Sequence, residues 1–125
     1  MILVDTTVWI DHFRHAEPTL VGLLEGGEVL GHRWVTGELA LGNLRDRGET
    51  LRLLGQLPQA AVATGSELLT FIERHGLAGL GIGYVDTQLL ASATLSDGAR
   101  LWTGDLRLRA AGERLGVAYP ADRHG

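Results

Sequence analysis

The chain contains no cysteine and no lysine. Without cysteine there is no disulfide framework and no thiolate metal site, which fits a cytoplasmic location. Without lysine there is no Walker-type phosphate loop, whose lysine reaches the terminal phosphates, and no lysine Schiff base. A phosphoacceptor receiver domain, which normally sets a lysine beside its acids, is disfavoured for the same reason. All eleven basic residues are arginine, and the formal net charge is −4. Such a chain is not a general nucleic-acid binder, but it leaves room for an enzyme that holds phosphates through metal ions. No apolar run is long enough to span a membrane, and no basic segment followed by a long apolar region marks the N-terminus. The remaining composition, 45% hydrophobic and 21% charged over 125 residues, is that of a soluble globular protein, with residues 1–125 forming one domain.

The stretch Ile2-Leu3-Val4-Asp5-Thr6-Thr7-Val8-Trp9-Ile10 organises the rest. Its short apolar opening reads as a central strand buried on both faces, as in parallel sheets. Thr6 or Thr7 then caps a helix that carries Val8, Trp9, Ile10 and Phe13 into the core. Asp5 falls at the carboxyl end of the strand, where open α/β sheets bind ligands. On this stretch alone, Asp5 stands open between a site residue and a simple cap or turn residue.

Farther along, Pro18 starts a helix that Gly26-Gly27 stops, and Glu28–Gly31 reads as a second strand. Thr36 caps a helix over Gly37–Arg47 that bears Glu38, and another helix covers Gly48–Leu57. Ala60–Ala63 reads as a third strand. Thr64 and Glu67 form a capping box for a helix running to about His75. Gly76–Gly83 is a glycine-rich loop. It is not a dinucleotide fingerprint, because Gly79-x-Gly81-x-Gly83 lacks the final interval and follows no strand. A helix over Tyr84–Ser96 carries Asp86 in its first turn. Arg100–Trp102 is the next strand, Thr103-Gly104-Asp105 follows it, and a helix over Leu106–Leu115 precedes a short last strand, Val117–Tyr119. The Arg123-His124-Gly125 tail reads as a frayed end.

Alternating strands and helices imply a mostly parallel sheet with helices on both faces. Asp5 and Asp105 follow strands directly, while Glu38 and Asp86 stand in first helical turns, so all four acids fall on one sheet edge. Each has a plainer reading as a cap or helix-dipole residue. Together they repel, and clustered carboxylates stay ionised only with compensation. Mg²⁺ or Mn²⁺ supplies it through hard oxygen ligands, activating water for attack on a phosphodiester.

The segments Ile2–Ile10, Gly37-Glu38-Leu39-Ala40-Leu41-Gly42, Val85-Asp86-Thr87-Gln88-Leu89-Leu90-Ala91-Ser92-Ala93 and Leu101-Trp102-Thr103-Gly104-Asp105 resemble, in order and separation, those of PIN-domain ribonucleases, specifically the VapC-type toxins of bacterial toxin–antitoxin pairs. The resemblance covers nearly the whole chain. It implies a PIN-like three-layer α/β/α sandwich and a Mg²⁺- or Mn²⁺-dependent endoribonuclease. It makes Asp5, Glu38, Asp86 and Asp105 the acidic quartet, with Asp5 and Asp86 as direct metal ligands. Thr7 and Thr103 match positions whose hydroxyls orient acids or water. A homodimer and a cognate VapB-type antitoxin that blocks the pocket are implied as well. Gly104 stands inside the Thr-x-Asp motif and leaves it intact.

Among the other polar residues, Arg107 and Arg109 follow Asp105 closely and are the candidates for RNA phosphate, surface salt bridging being their ordinary alternative. His32 and Arg33 lie near the same edge and are weaker substrate candidates. Asp11, His12 and His15 read as a solvated helix face rather than a metal site. Two other functional classes compete with the nuclease. One is a metal-dependent phosphatase or other phosphoryl-transfer enzyme; a haloacid-dehalogenase-type phosphatase would need an acid where Thr7 stands. The other is a catalytically silent module that keeps the fold for partner binding.

Overall fold

The computed structural model describes residues 1–120, so the Arg123-His124-Gly125 tail lies outside the described residues. Ten elements follow in order: β1 (Ile2–Val4), α1 (Thr6–Arg14), α2 (Pro18–Glu25), β2 (Val29–Leu30), α3 (Arg33–Ala40), α4 (Arg47–Gln56), α5 (Gly65–Arg74), α6 (Tyr84–Leu95), β3 (Arg100–Trp102) and α7 (Leu106–Arg114). The three strands form an all-parallel sheet in the order β2-β1-β3. Successive side chains of a strand face opposite ways. Leu3 and Val4 of the central strand are both buried, so helices cover both faces, as a three-layer PIN-like sandwich requires. Helix α3 packs with α1 and α4, and α6 packs with α5, α7 and β3.

Helix α6 runs through the middle of the protein, and every residue from Thr87 to Ala93 is buried. Leu89 and Leu90 have no exposed surface, and each contributes about 1.5–3 kcal/mol of apolar burial. Within the glycine-rich loop, Leu77 is buried and pins the loop to the core.

Two short segments expected as strands are thinner than that. Gly31 forms a single parallel bridge with Gln59, and Ala60–Ala63 is not a strand. The Gln88 side-chain amide takes the place of a neighbouring strand there. Its oxygen accepts from the Ala63 N–H at 2.9 Å and its nitrogen donates to the Ala63 carbonyl at 3.0 Å. Val117–Tyr119 is likewise reduced to one bridge, Leu101↔Ala118, flanked by two backbone bonds.

Helix boundaries near the sheet edge also differ from expectation. Asp5 rather than a threonine caps α1, its side chain accepting from the Thr6 N–H. Helix α3 begins at Arg33, four residues before Gly37, because the His32 ring caps it by accepting from the Trp34 N–H at 3.0 Å. Thr36 is therefore inside the helix, and Glu38 lies in its second turn. The helix stops at Ala40, and the chain turns through Asp46, which sits at φ 46°.

Candidate active site

Asp5 is 3% exposed and accepts three hydrogen bonds. Its Oδ1 accepts from the Thr6 N–H at 2.7 Å, and its Oδ2 accepts from the hydroxyls of Thr7 at 2.9 Å and Thr103 at 2.7 Å. Both hydroxyls are relays. Thr7 Oγ1 accepts from the Gly104 N–H at 3.0 Å, and Thr103 Oγ1 accepts from the Asp105 N–H at 3.0 Å. With a backbone donor on one side, each hydroxyl turns its own hydrogen toward Asp5. The loop after β3 is thereby tied to the start of α1 twice, through Asp5 Oδ2 and directly from Gly104 to Thr7.

The other three acids arrive from three other elements. Glu38 Oε1 accepts from the Thr6 hydroxyl at 2.7 Å, which joins α3 to α1. Asp105 caps α7, its Oδ1 accepting from the N–H groups of Arg107 at 2.9 Å and Leu108 at 3.1 Å. Asp86 Oδ2 accepts from the Gly83 N–H at 3.2 Å. The capping readings of Asp5, Asp86 and Asp105 thus hold together with their convergence: each carboxylate finishes a helix end and still faces the common edge.

Electrostatics ties the four together. Burial pushes the Asp86 carboxyl above the usual range, the Gly83 N–H opposes that, and the negative charges of Asp5, Asp105 and Glu38 push it further up. The charges that push Asp86 up are the like charges of three neighbouring carboxylates, which a bound cation would offset. Among the described residues, no three acids or histidines stand as a ready cage around one point. Mg²⁺ does not ask for one, since it keeps several waters and takes one or two carboxylates. The donor set is all oxygen, which suits Mg²⁺ or Mn²⁺, and the residues present fit such an ion.

The arginine candidates separate. Arg109 donates to the carbonyls of Tyr119 at 2.8 Å and Pro120 at 3.0 Å and pairs with Glu113 at 2.9 Å. It is a strut between α7 and the chain that follows. Arg107 is exposed, and among the described residues its guanidinium has no hydrogen bond or ion pair.

His32 cannot touch substrate, because it is 1% exposed and both ring nitrogens are bonded. Nδ1 accepts from Trp34, so Nε2 carries the hydrogen and donates to Ser92 Oγ at 2.9 Å. Ser92 in turn donates to Gln88 Oε1 at 3.2 Å. Burial, with the Arg33 charge adding to it, lowers the His32 pKa from 6.5 to about 4. His12 accepts from the Glu17 N–H and packs edge-on against Trp9, which leaves Asp11, His12 and His15 a helix face. Sequence reasoning missed Thr6. Its spacing from Glu38 carries no signal, and only the packing of α1 on α3 brings the two together.

No family model matches the chain. A protein of Mycobacterium tuberculosis named Ribonuclease VapC32, found in strains CDC 1551 / Oshkosh and ATCC 25618 / H37Rv, is 50% identical over 118 residues. The match covers 94% of this chain and 95% of the relative.

Proposed function

The chain belongs to the VapC family of toxin ribonucleases, and from that premise we propose that it is a Mg²⁺- or Mn²⁺-dependent endoribonuclease, the toxin of a toxin–antitoxin pair. The observation that carries this reading is the convergence of Asp5, Glu38, Asp86 and Asp105 on one edge, where the like charges of the other three push Asp86 up.

Asp5 and Asp86 would hold the ion directly, with Glu38 and Asp105 completing the acidic set around it. The bound ion supplies an activated water and offsets charge on the phosphate under attack. Thr7 and Thr103 fix the Asp5 carboxylate by occupying Oδ2. Glu38 is exposed and, among the described residues, is bonded through one oxygen, so it would be free to take a proton from the attacking water. Arg107 rather than Arg109 is the side chain left for RNA phosphate.

Partner binding follows the same edge. A groove of about 880 Å³ runs past Ile10, Phe13, Arg14, Leu44 and Arg45 to Glu38. Ile10 and Phe13 are well exposed there. Apolar side chains within a groove that reaches a carboxylate suit an antitoxin segment with apolar anchors and a basic side chain for the acids. The active toxin is a homodimer working on RNA in the cytoplasm. No helix of the described residues is long and apolar enough to cross a membrane.

The decisive experiment is incubation of purified protein with total RNA in Mg²⁺, Mn²⁺ or chelator, beside the Asp5→Asn protein. Discrete cuts that need metal and disappear in the variant are expected. Cuts that persist in chelator or in Asp5→Asn would overturn the reading. Metal binding without any cuts would favour the silent partner-binding module.

A further inference from the structure

The glycine-rich loop and the free arginine meet. Gly81 lies against Arg107: a Cβ added at Gly81 would stand 3.1 Å from the arginine Cδ and 3.2 Å from Cζ, and closer still to Nη1. The guanidinium is thus seated on a bare Cα, although among the described residues it has no polar partner. Both neighbours of the seat belong to the acid edge. Gly83, two residues on, donates to Asp86, and the Arg107 N–H donates to Asp105. Arg107 therefore spans the two segments that present Asp86 and Asp105. A planar guanidinium with its donors unused, on the rim of a site for a phosphodiester, matches phosphate oxygens two at a time.

We propose that Gly81 is a positioning residue for RNA binding, its bare Cα seating Arg107 as a clamp for a backbone phosphate beside the acid edge. This deepens the nuclease reading and rests on it. At position 81 a side chain would meet Arg107 in addition to the backbone strain. Gly79 and Gly81 both hold φ at +77°, but a Cβ on Gly79 would meet nothing within 4 Å. An alanine at either position carries the same left-handed strain, and only at Gly81 does it also displace Arg107.

The pair of glycines supplies its own control. Binding of a labelled mixed-sequence single-stranded RNA of 20 nucleotides (~20, a length chosen to span the site) would be titrated in Mg²⁺ on the cleavage-silent Asp5→Asn protein across a salt series. Arg107→Ala should weaken binding about 10-fold and lower the salt slope by about 0.7, one phosphate's share for a single strand. Gly81→Ala should reproduce both changes, while Gly79→Ala should change affinity less than about 2-fold. Gly81→Ala added to Arg107→Ala should cost nothing further. Equal losses in the two glycine variants, or losses from Gly81→Ala and Arg107→Ala that multiply, would overturn the clamp. If wild-type protein cuts RNA and the cycle is multiplicative, the clamp fails alone. If it cuts nothing and the cycle holds, the nuclease reading fails and the phosphate clamp stands.

Discussion

Helices α3 and α6 each carry polar residues at two levels, and the two levels are handled in opposite ways. At the inner level, His32, at the start of α3, and Ser92 and Gln88 of α6 form a neutral chain that ends on the Ala63 backbone, all of it buried. Among the described residues no buried side-chain polar atom lacks a partner. At the outer level, Glu38 of α3 and Asp86 of α6 face Asp5 and Asp105 with like charge. The inner chain spends its hydrogen-bonding capacity on holding the helices in place. The outer edge keeps capacity in reserve for something that arrives from solution. A fully satisfied polar network reads as architecture, whereas a charged one left uncompensated reads as a site.

The sharpest way to break this contrast is at Gln88. Gln88→Ala removes both bonds to Ala63, strands Ser92 and opens a cavity, and should cost about 3–4 kcal/mol of stability in a denaturant titration. A cost below about 1 kcal/mol would mean that water replaces the amide and the inner chain is not structural.

Acidification tests both levels at once, with opposite signs. His32 has a folded pKa of about 4 against 6.5 in the unfolded chain. Its contribution is complete above pH 6.5 and is lost as pH falls from there through about 4, amounting to up to about 3 kcal/mol. The raised Asp86 carboxyl acts the other way: the folded protein takes up that proton more readily, so the metal-free edge gains stability as pH falls through the raised value. Asp86→Asn should therefore steepen the acid loss. A metal-free stability curve that stays flat between pH 6.5 and 4 in this variant would contradict the assignment of a neutral, buried His32.

A smaller effect belongs to the outer edge alone. Millimolar Mg²⁺ or Mn²⁺ should stabilise the protein by about 1–2 kcal/mol, read as a rise of several degrees in melting temperature. Asp86→Asn should abolish that rise and leave the metal-free protein about 0.5 kcal/mol more stable. A metal-free variant less stable than its parent would show that the bond to Gly83 outweighs repulsion from the other acids.

The outer level was far more legible in the sequence than the inner one. Asp5 and Asp105 follow strands, and the Thr64–Glu67 box opens its helix as its spacing says it must, because those signals are local. The inner chain joins residues 60 apart in the case of His32 and Ser92 and 25 apart in the case of Gln88 and Ala63. Nothing near Gln88 marks it as a surrogate strand, so Ala60–Ala63 reads by its β-branched and small residues as a strand that does not form. His32 hides the start of α3 because a histidine ring is an uncommon cap. The fates of Arg107 and Arg109 were equally hidden. Two residues apart on one helix, they part only because Tyr119, Pro120 and Glu113 claim one of them and Gly81 seats the other.

The Thr103–Asp5 bond also sets a clock. Its partners lie 98 residues apart, and the central strand that delivers Asp5 pairs on one side with β3. During synthesis at roughly 5–20 residues per second, Asp5 emerges some seconds to tens of seconds before Thr103 exists to orient it. The network around Asp5 therefore cannot form until β3 and the loop after it have been made. The first acid to be made is thus the one whose hydrogen-bonding partner comes nearly last.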